Sequence, residues 1–484
     1  MRILFYSTSS NIYNGESVTT TTLPSFTTQW DNLSEQHSEH EFLIATQLPA
    51  LFLCDVHQNS IEQSEKIKRI LIKSDKEKEI AEELSELKPD LAIAASFYVT
   101  PYDWLTIKDA MVADFLRKKG IRTICHNVET SVICFDKWRT HLFLEKSGIN
   151  CAKAVYMHHE LWINGGNRHE LKSNVFRDSV FHEVQKLKFP VIIKDTTGLS
   201  SFGADVVHNF DEATGILKSK KTTSDRIIEE MIPGEQFGCE IYGTYDEKSG
   251  HGQYSILPPF KFSVNQYGIT SPKQSVKFGP FGITEEESAQ YKIPELKKML
   301  QFLAAGMKLN GISQVDLVFD GEKWFVIEVN PRLSGMSTTY AASAGVPLSS
   351  LIFKGLEIKN TDGESLPPAS NAKAFSASPS PRGIAPKTPD SNQFFFEFIP
   401  TLNIKFPILE NRKLLELKAL PYVAFVNQIE NHAARQIREQ GYCEVILCGK
   451  TREELLGNLI DLRDNFKDSF EEEFFNKAVN LIKK

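Results

Sequence analysis

The sequence predicts a multidomain protein of mixed α/β and α+β class, and three observations carry that prediction. Its 484 residues exceed what one hydrophobic core keeps filling, so roughly three units are expected. Residues 1–130 alternate short apolar runs with polar, helix-forming stretches, the pattern of parallel βαβ units. Further on, the stretch GISQVDLVFDGEKWFVIEVNPRLSG alternates apolar and polar residues on both sides of a turn, the pattern of an antiparallel hairpin with one covered face.

Taken in order, residues 2–6, 42–45, 91–95 and 121–125 read as buried strands, and residues 60–87 as a helix closed by Pro89. Such a doubly wound layer puts ligands beyond the carboxyl ends of its strands, so residues 7–15 and 126–130 should face a cleft. A second unit is expected over 131–360, with residues 226–231 and 237–245 forming a hairpin. Residues 361–393 are rich in Pro, Ser and Ala and read as a linker or a loop over the site. Residues 394–484 read as an α+β lobe, with strand-like FFFEFIP, YVAFVNQ and CEVILCG ahead of a final helix over 451–466. That helix is opened by the capping spacing Thr451-x-x-Glu454. The phenylalanines of 394–398 and 470–475 read as core or subunit contact.

Composition bounds the function. Hydrophobic residues at 41% and charged residues at 24% exclude a disordered or fibrous chain. A net charge of -7 without a basic stripe argues against nucleic acid as partner. Seven cysteines without a C-x-x-C pair argue against a disulfide framework or a zinc site. No apolar run reaches the ~20 residues of a membrane span, and MRILFYSTSS enters a strand-like run directly, so a cytoplasmic protein is expected.

The strongest motif is Asp316-x(11)-Glu328-x-Asn330. With a turn at Asp320-Gly321, the two carboxylates are expected on one face, while Val315, Leu317, Phe325, Ile327 and Val329 cover a core on the other. Two carboxylates and an amide oxygen suit Mg²⁺, or Mn²⁺ in its place, with the remaining positions left to water and phosphate oxygens. Arg332 adds a planar cation for a carboxylate or developing oxyanion. Upstream, Lys194 ends a strand before a loop holding Gly198, Ser200, Ser201 and Gly203, a composition that lets backbone N–H groups and hydroxyls close over phosphates. Around Pro233-Gly234, the backbone of Met231 and Ile232 is placed to meet a purine edge. Lys261 and Lys277 read as solvated lysines rather than as groups reaching a phosphate or substrate carboxylate.

In order and spacing these motifs resemble the ATP-grasp superfamily, particularly its carboxylate-amine ligases, which include D-alanine-D-alanine ligases and L-amino-acid ligases. The resemblance covers residues 136–354. It implies an ATP-grasp fold with an N-terminal pre-ATP-grasp domain, and phosphate contacts from Lys137, Lys194 and the loop with Ser200, Ser201 and Gly203. It also implies adenine recognition by Glu229, Met231 and Ile232, and ribose contact by Gln236 or Glu235. Asp316, Glu328 and Asn330 match its metal ligands, Arg332 its substrate-carboxylate arginine, and Ser334, Gly335 and Met336 the loop lining the acceptor site. The implied activity is ATP-dependent joining of a carboxylate to an amine, amino acids or short peptides, through an acyl phosphate. The alternatives are bicarbonate chemistry of the carboxylase or carbamoyl-phosphate type, an ATP-binding regulator without turnover, and a scaffold. Homodimers are common among such relatives.

Overall fold

The computed structural model describes residues 1–8, 12–13, 16–47, 56–57, 60–61, 66–96, 105–164, 174–197, 204–219, 222–247, 249–265, 276–356, 396–431, 441–469 and 471–483. Among these residues the strands form three sheets.

The first is parallel, in the order Lys68–Leu71, Glu41–Thr46, Arg2–Ser7, Leu91–Ala94, Arg122–Ile124. Its strands are apolar throughout because both faces are covered: Ile3, Phe5, Phe42 and Ile44 enter one core cluster, while Leu4, Tyr6, Leu43 and Ala45 enter another. Among the described residues, the helix expected over 60–87 is confined to Glu77–Glu86. Residues Lys68–Leu71 instead add a parallel edge strand beside Glu41–Thr46, because backbone pairing to an open sheet edge overrides the local helical spacing of Lys and Ile.

The second sheet is small and antiparallel, in the order Ala154–Met157, Arg226–Glu230, Val191–Asp195, Asp205–Val207. Val180, Val184, Ala213 and Leu217 from the helices Val175–Val184 and Phe210–Lys218 pack against it.

The third sheet runs through thirteen strands and carries Gly311–Phe319 and Trp324–Asn330 near one end. Next come Glu235–Asp246, Phe260–Phe262, Lys277–Gly279, Thr401–Phe406, Gly441–Cys448 and Val423–Asn431. Strand Glu16–Leu23 from the N-terminal region pairs with Val423–Asn431 and extends this sheet. One face is apolar: Phe237, Cys239, Val315, Leu317, Phe278, Leu402, Ile404, Val445 and Leu447 share a single cluster with residues of helices Ile293–Gly306, Arg452–Asn465 and Glu472–Lys483. Phe474 and Phe475 lie in this core, as the sequence implied.

Three further expectations are corrected. Residues 226–230 and 235–246 do not form a hairpin but belong to the second and third sheets, so residues 231–234 cross between them. Gly234, at φ +155°, makes that crossing where a Cβ would collide with the Phe319 carbonyl. FFFEFIP is no strand over 396–400; Pro400 lacks a donor, Phe398 is a core wedge, and the strand begins at Thr401. The helix opened by Thr451, whose side chain accepts the Glu454 N–H at 3.2 Å, is followed by a further amphipathic helix, Glu472–Lys483.

Candidate active site

The site is built on the hairpin Gly311–Phe319/Trp324–Asn330. Its connection is four residues, 320–323, rather than the two that Asp320-Gly321 favours. The Asp320 carboxylate accepts the N–H groups of Glu322 at 2.8 Å and Lys323 at 2.6 Å, and Gly321 supplies φ +99°. Pairing runs Phe319 to Trp324, Val318 to Phe325 and Leu317 to Val326, then skips Ile327 so that Asp316 faces Glu328. This bulge overturns the expected alternation: Trp324, Val326 and Val329 are the core residues, and Phe325 and Ile327 are half-buried. Without the extra residue, Asp316 would face Ile327 and the two acids would point to opposite sides. The bulge therefore re-aims Glu328 onto the face of Asp316. Asn330, two residues further, shares that face opposite Gln314.

Burial pushes the Asp316 carboxyl well above the usual carboxylate range, and the charge of Glu328 adds to it; the Gln314 amide at 2.6 Å, Arg332 and Lys277 pull the other way. Two acids directly opposite one another on a sheet repel, which is a reason to hold a cation between them. The asparagine completes an oxygen-only donor set with room for phosphate oxygens, so the residues fit Mg²⁺. Among the described residues there is no cluster of three or more His, Cys, Asp or Glu side chains elsewhere that would compete.

Cations from two other elements meet this pair. Lys137 opens the helix Lys137–Lys146, started by Asp136 as N-cap, and its ammonium lies 3.5 Å from Glu328. Lys194, on Val191–Asp195, is ion-paired with Glu229 across the second sheet. Burial lowers the Lys194 pKa, but Glu229, Glu328 and Asp316 together raise it above the ordinary lysine value. Arg332 donates to the Asn330 side-chain oxygen at 3.3 Å and to the Leu333 carbonyl at 3.2 Å. It also lines a cavity of about 20 Å³, room for one water, with Ser96 and His126 from beyond the carboxyl ends of two parallel strands and Asp109 from the helix Leu105–Lys118. His126 accepts the Asn310 N–H on Nδ1, so Nε2 donates to the Ile312 carbonyl at 3.0 Å. Burial lowers its pKa to about 4, making it a neutral strut under the site strand.

The remaining residues sort by face. Strand alternation along Glu235–Asp246 puts Gln236, Gly238 and Glu240 on the Asp316 side and Glu235 on the core side, where Lys261 pairs with it. Of the ribose candidates, Gln236 is therefore the one facing the site. The Met231 N–H donates to the Pro190 carbonyl at 3.0 Å, so a purine contact from Met231 falls to its carbonyl. Ser200, Ser201 and Gly203, and the whole of 361–393, lie outside the described residues. Ser334 and Ser337 both donate to buried Glu240, at 2.9 and 2.6 Å, which braces the loop carrying Gly335 and Met336. Neither Lys261 nor Lys277 is solvated: 5% and 7% of their surfaces are exposed. Lys277 donates to the Gly335 carbonyl at 3.0 Å on the site face. Glu240, Lys405 and Glu444 escaped the sequence reading, because a charged residue alternating with apolar ones signals a wet face as readily as a buried one.

Comparison with known proteins bears on the same residues. The family model of the D-ala D-ala ligase C-terminus matches residues 143–356, which span both the strand of Lys194 and the hairpin of Asp316 and Glu328. Over that stretch the chain is similar to this ligase family, and its fold is the ATP-grasp fold. Among curated relatives, the D-alanine-D-alanine ligase of Buchnera aphidicola subsp. Schizaphis graminum is 22% identical over 257 residues, covering 52% of this chain and 78% of that enzyme. Two solved structures share the ATP-grasp architecture along nearly the whole chain. N5-carboxyaminoimidazole ribonucleotide synthetase in its ADP complex aligns over 96% of both chains, with TM-score 0.57 and 13% identity. The L-amino acid ligase from Bacillus licheniformis aligns over 96% of this chain and 97% of its own, with TM-score 0.57 and 14% identity. No described helix of this chain is long and apolar enough to cross a membrane.

Proposed function

We propose that this protein is an ATP-dependent carboxylate-amine ligase. One observation carries the reading: a half-buried pair of directly opposed carboxylates, Asp316 and Glu328, approached by Lys137 and Arg332 and within the field of Lys194. Such an arrangement neutralises and aligns a triphosphate and the carboxylate that attacks it.

In the first step a substrate carboxylate oxygen attacks the γ-phosphorus and ADP leaves. In the second an amine nitrogen attacks the acyl carbon, loses a proton, and phosphate departs. Asp316, Glu328 and Asn330 would hold Mg²⁺, which supplies charge neutralisation at the phosphate oxygens. Lys137 and Lys194 hold the phosphates, and Arg332 orients the carboxylate and balances its charge as the acyl phosphate forms. Glu229, Ile232 and the Met231 carbonyl receive the adenine, and Gln236 the ribose. Ser200, Ser201 and Gly203 contribute phosphate contacts, and Ser334 and Gly335 border the amine partner. Exclusion of water protects the acyl phosphate from hydrolysis.

The test is phosphate release from ATP and Mg²⁺ across a matrix of amino-acid and amine pairs. Release that needs both members of a pair names the substrates. ADP formed with bicarbonate and no amine would move the protein to carboxylation, and ATP binding without ADP under every mixture would sink the ligase reading.

A further inference from the structure

Beyond the metal pair, the polar face of the third sheet carries a second charged group. Lys277 stands opposite Asn403, and Lys405, two residues along, stands opposite Glu444, so all four point to one side. They are deeply buried, with 7, 0, 3 and 4% of their surfaces exposed for Lys277, Asn403, Lys405 and Glu444. Lys405 is ion-paired with Glu444. The same carboxylate is 3.8 Å from the Lys277 ammonium, beyond hydrogen-bond reach. Lys277 gives one of its three donors to the Gly335 carbonyl at 3.0 Å.

The charges do not balance. Burial pushes the Glu444 carboxyl up, but Lys405 and Lys277 hold it below the ordinary range, so it is one committed anion between two ammonium groups. Glu240, the next carboxylate, is enclosed by the hydroxyls of Ser337, Ser334 and Tyr242, and burial raises it to about 7. Burial and the neighbouring Lys405 pull Lys277 down to about 8. A buried cation short of a partner is destabilised until an anion joins it. Two more buried atoms lack a hydrogen-bond partner, Asn403 Oδ1 and Thr338 Oγ1. Thr338 belongs to the helix Ser337–Ser343, whose Thr339 accepts from Asn403 at 2.8 Å.

Position says which anion. Arg332 and its cavity lie toward the N-terminal strands, whereas Lys277 comes from the C-terminal side and still feels Asp316. Its strand lies three places from that of Asp316, about 14 Å between backbones at ordinary strand spacing. Side chains from both ends and one amino-acid-sized ligand fill that span. We infer that Lys277, backed by Lys405 and Glu444, binds a carboxylate other than the one being activated, and so selects a nitrogen partner that carries its own free carboxylate. This inference rests on the ligase reading, and it separates α-amino acids and peptides from ammonia, polyamines and other amines without a carboxylate.

The experiment gives the protein ATP, Mg²⁺ and the twenty amino acids in competition with their α-carboxamides, and reads products by mass spectrometry. The wild type is expected to favour products with a free carboxylate at least ten-fold over C-terminal amides. Lys277→Gln should cut that ratio ten-fold or more, and Lys277→Arg should restore most of it. Gly335→Ala gives a second route, because its Cβ would stand 3.3 Å from the Lys277 ammonium and displace it with the charge intact; the ratio should fall there too. The ratio is read within each protein, so a reduced yield of folded material cancels. Equal use of carboxamides by the wild type, or an unchanged ratio in both Lys277→Gln and Gly335→Ala, overturns the inference and leaves the ligase reading standing. Absence of ADP release with any pair takes both down.

Discussion

Lys261 and Lys277 sit on neighbouring strands of one sheet, and their fates differ. In the pairing of Phe260–Phe262 with Lys277–Gly279, Lys261 faces Phe278 and Lys277 faces Phe262, so they point to opposite faces. On the apolar side Lys261 meets a dedicated partner, Glu235, and lies over the Phe281 ring at 5.9 Å. On the polar side Lys277 shares one carboxylate with Lys405 and lies within the field of Asp316. A buried lysine is thus either a matched strut or an unmatched receptor, and the phase of its strand decides which.

The sharpest way to break this division is at the acids themselves. Glu328→Ala is expected to lower ATP turnover by on the order of 10³ or more. Its melting temperature should hold or rise, because the change relieves the repulsion with Asp316. Turnover near the wild-type level would remove the metal assignment. A change on the opposite face should do the reverse. Phe237 is fully buried, with ring centroids 5.6, 5.5 and 5.1 Å from Phe281, Tyr291 and Trp324. Phe237→Ala should lose about 3–5 kcal/mol in urea unfolding, with turnover per folded molecule retained. A loss of turnover out of proportion to the unfolded fraction would show that the two faces are not independent.

What the sequence made legible follows the same line. The parallel strands were readable because both of their faces are apolar, so a run such as Leu91–Ala94 needs no phase. The acids and asparagine were readable because their spacing survives local irregularity. The bulge at Ile327 was not: a period-two pattern counts residues, and an unpaired one is visible only against the partner strand. The separation of Arg226–Glu230 from Glu235–Asp246 was hidden for a related reason, since Pro233-Gly234 fits a hairpin turn and a crossing between sheets equally well. Lys68–Leu71 shows local helical spacing losing to an available sheet edge. Glu240, Lys405 and Glu444 come together from strands far apart in the chain, and nothing local announces that a glutamate in CEVILC lies beside a lysine in NIKF.

A third buried basic group sharpens the comparison through pH. His126 has its pKa lowered from 6.5 to about 4 by burial. Between those values the unfolded chain takes up a proton that the folded one refuses. Its contribution is therefore complete above pH 6.5 and falls away as the pH drops toward 4, by about 3 kcal/mol. Urea midpoints measured over that window should show a slope that His126→Gln flattens. A slope unchanged by the substitution would mean that the imidazole is not the neutral strut described above.

The smallest effect is expected at Lys261, and it is the one that separates the two lysines most directly. Lys261→Met keeps an unbranched apolar stem against Phe281 and removes the ammonium from Glu235, whose side chain is 40% exposed and also takes a hydrogen bond from Tyr291. That carboxylate stays partly hydrated and partnered, so the loss should be about 1 kcal/mol. Because the side chain lies behind the sheet, turnover and the preference for a carboxylate-bearing partner should stay where the wild type has them. Measured beside Lys277→Gln, the pair forms a contrast between a stability change without a selectivity change and a selectivity change. If Lys261→Met shifted the product ratio as far as Lys277→Gln does, burial of positive charge in this sheet would matter more than the face it occupies, and the division between strut and receptor would not hold.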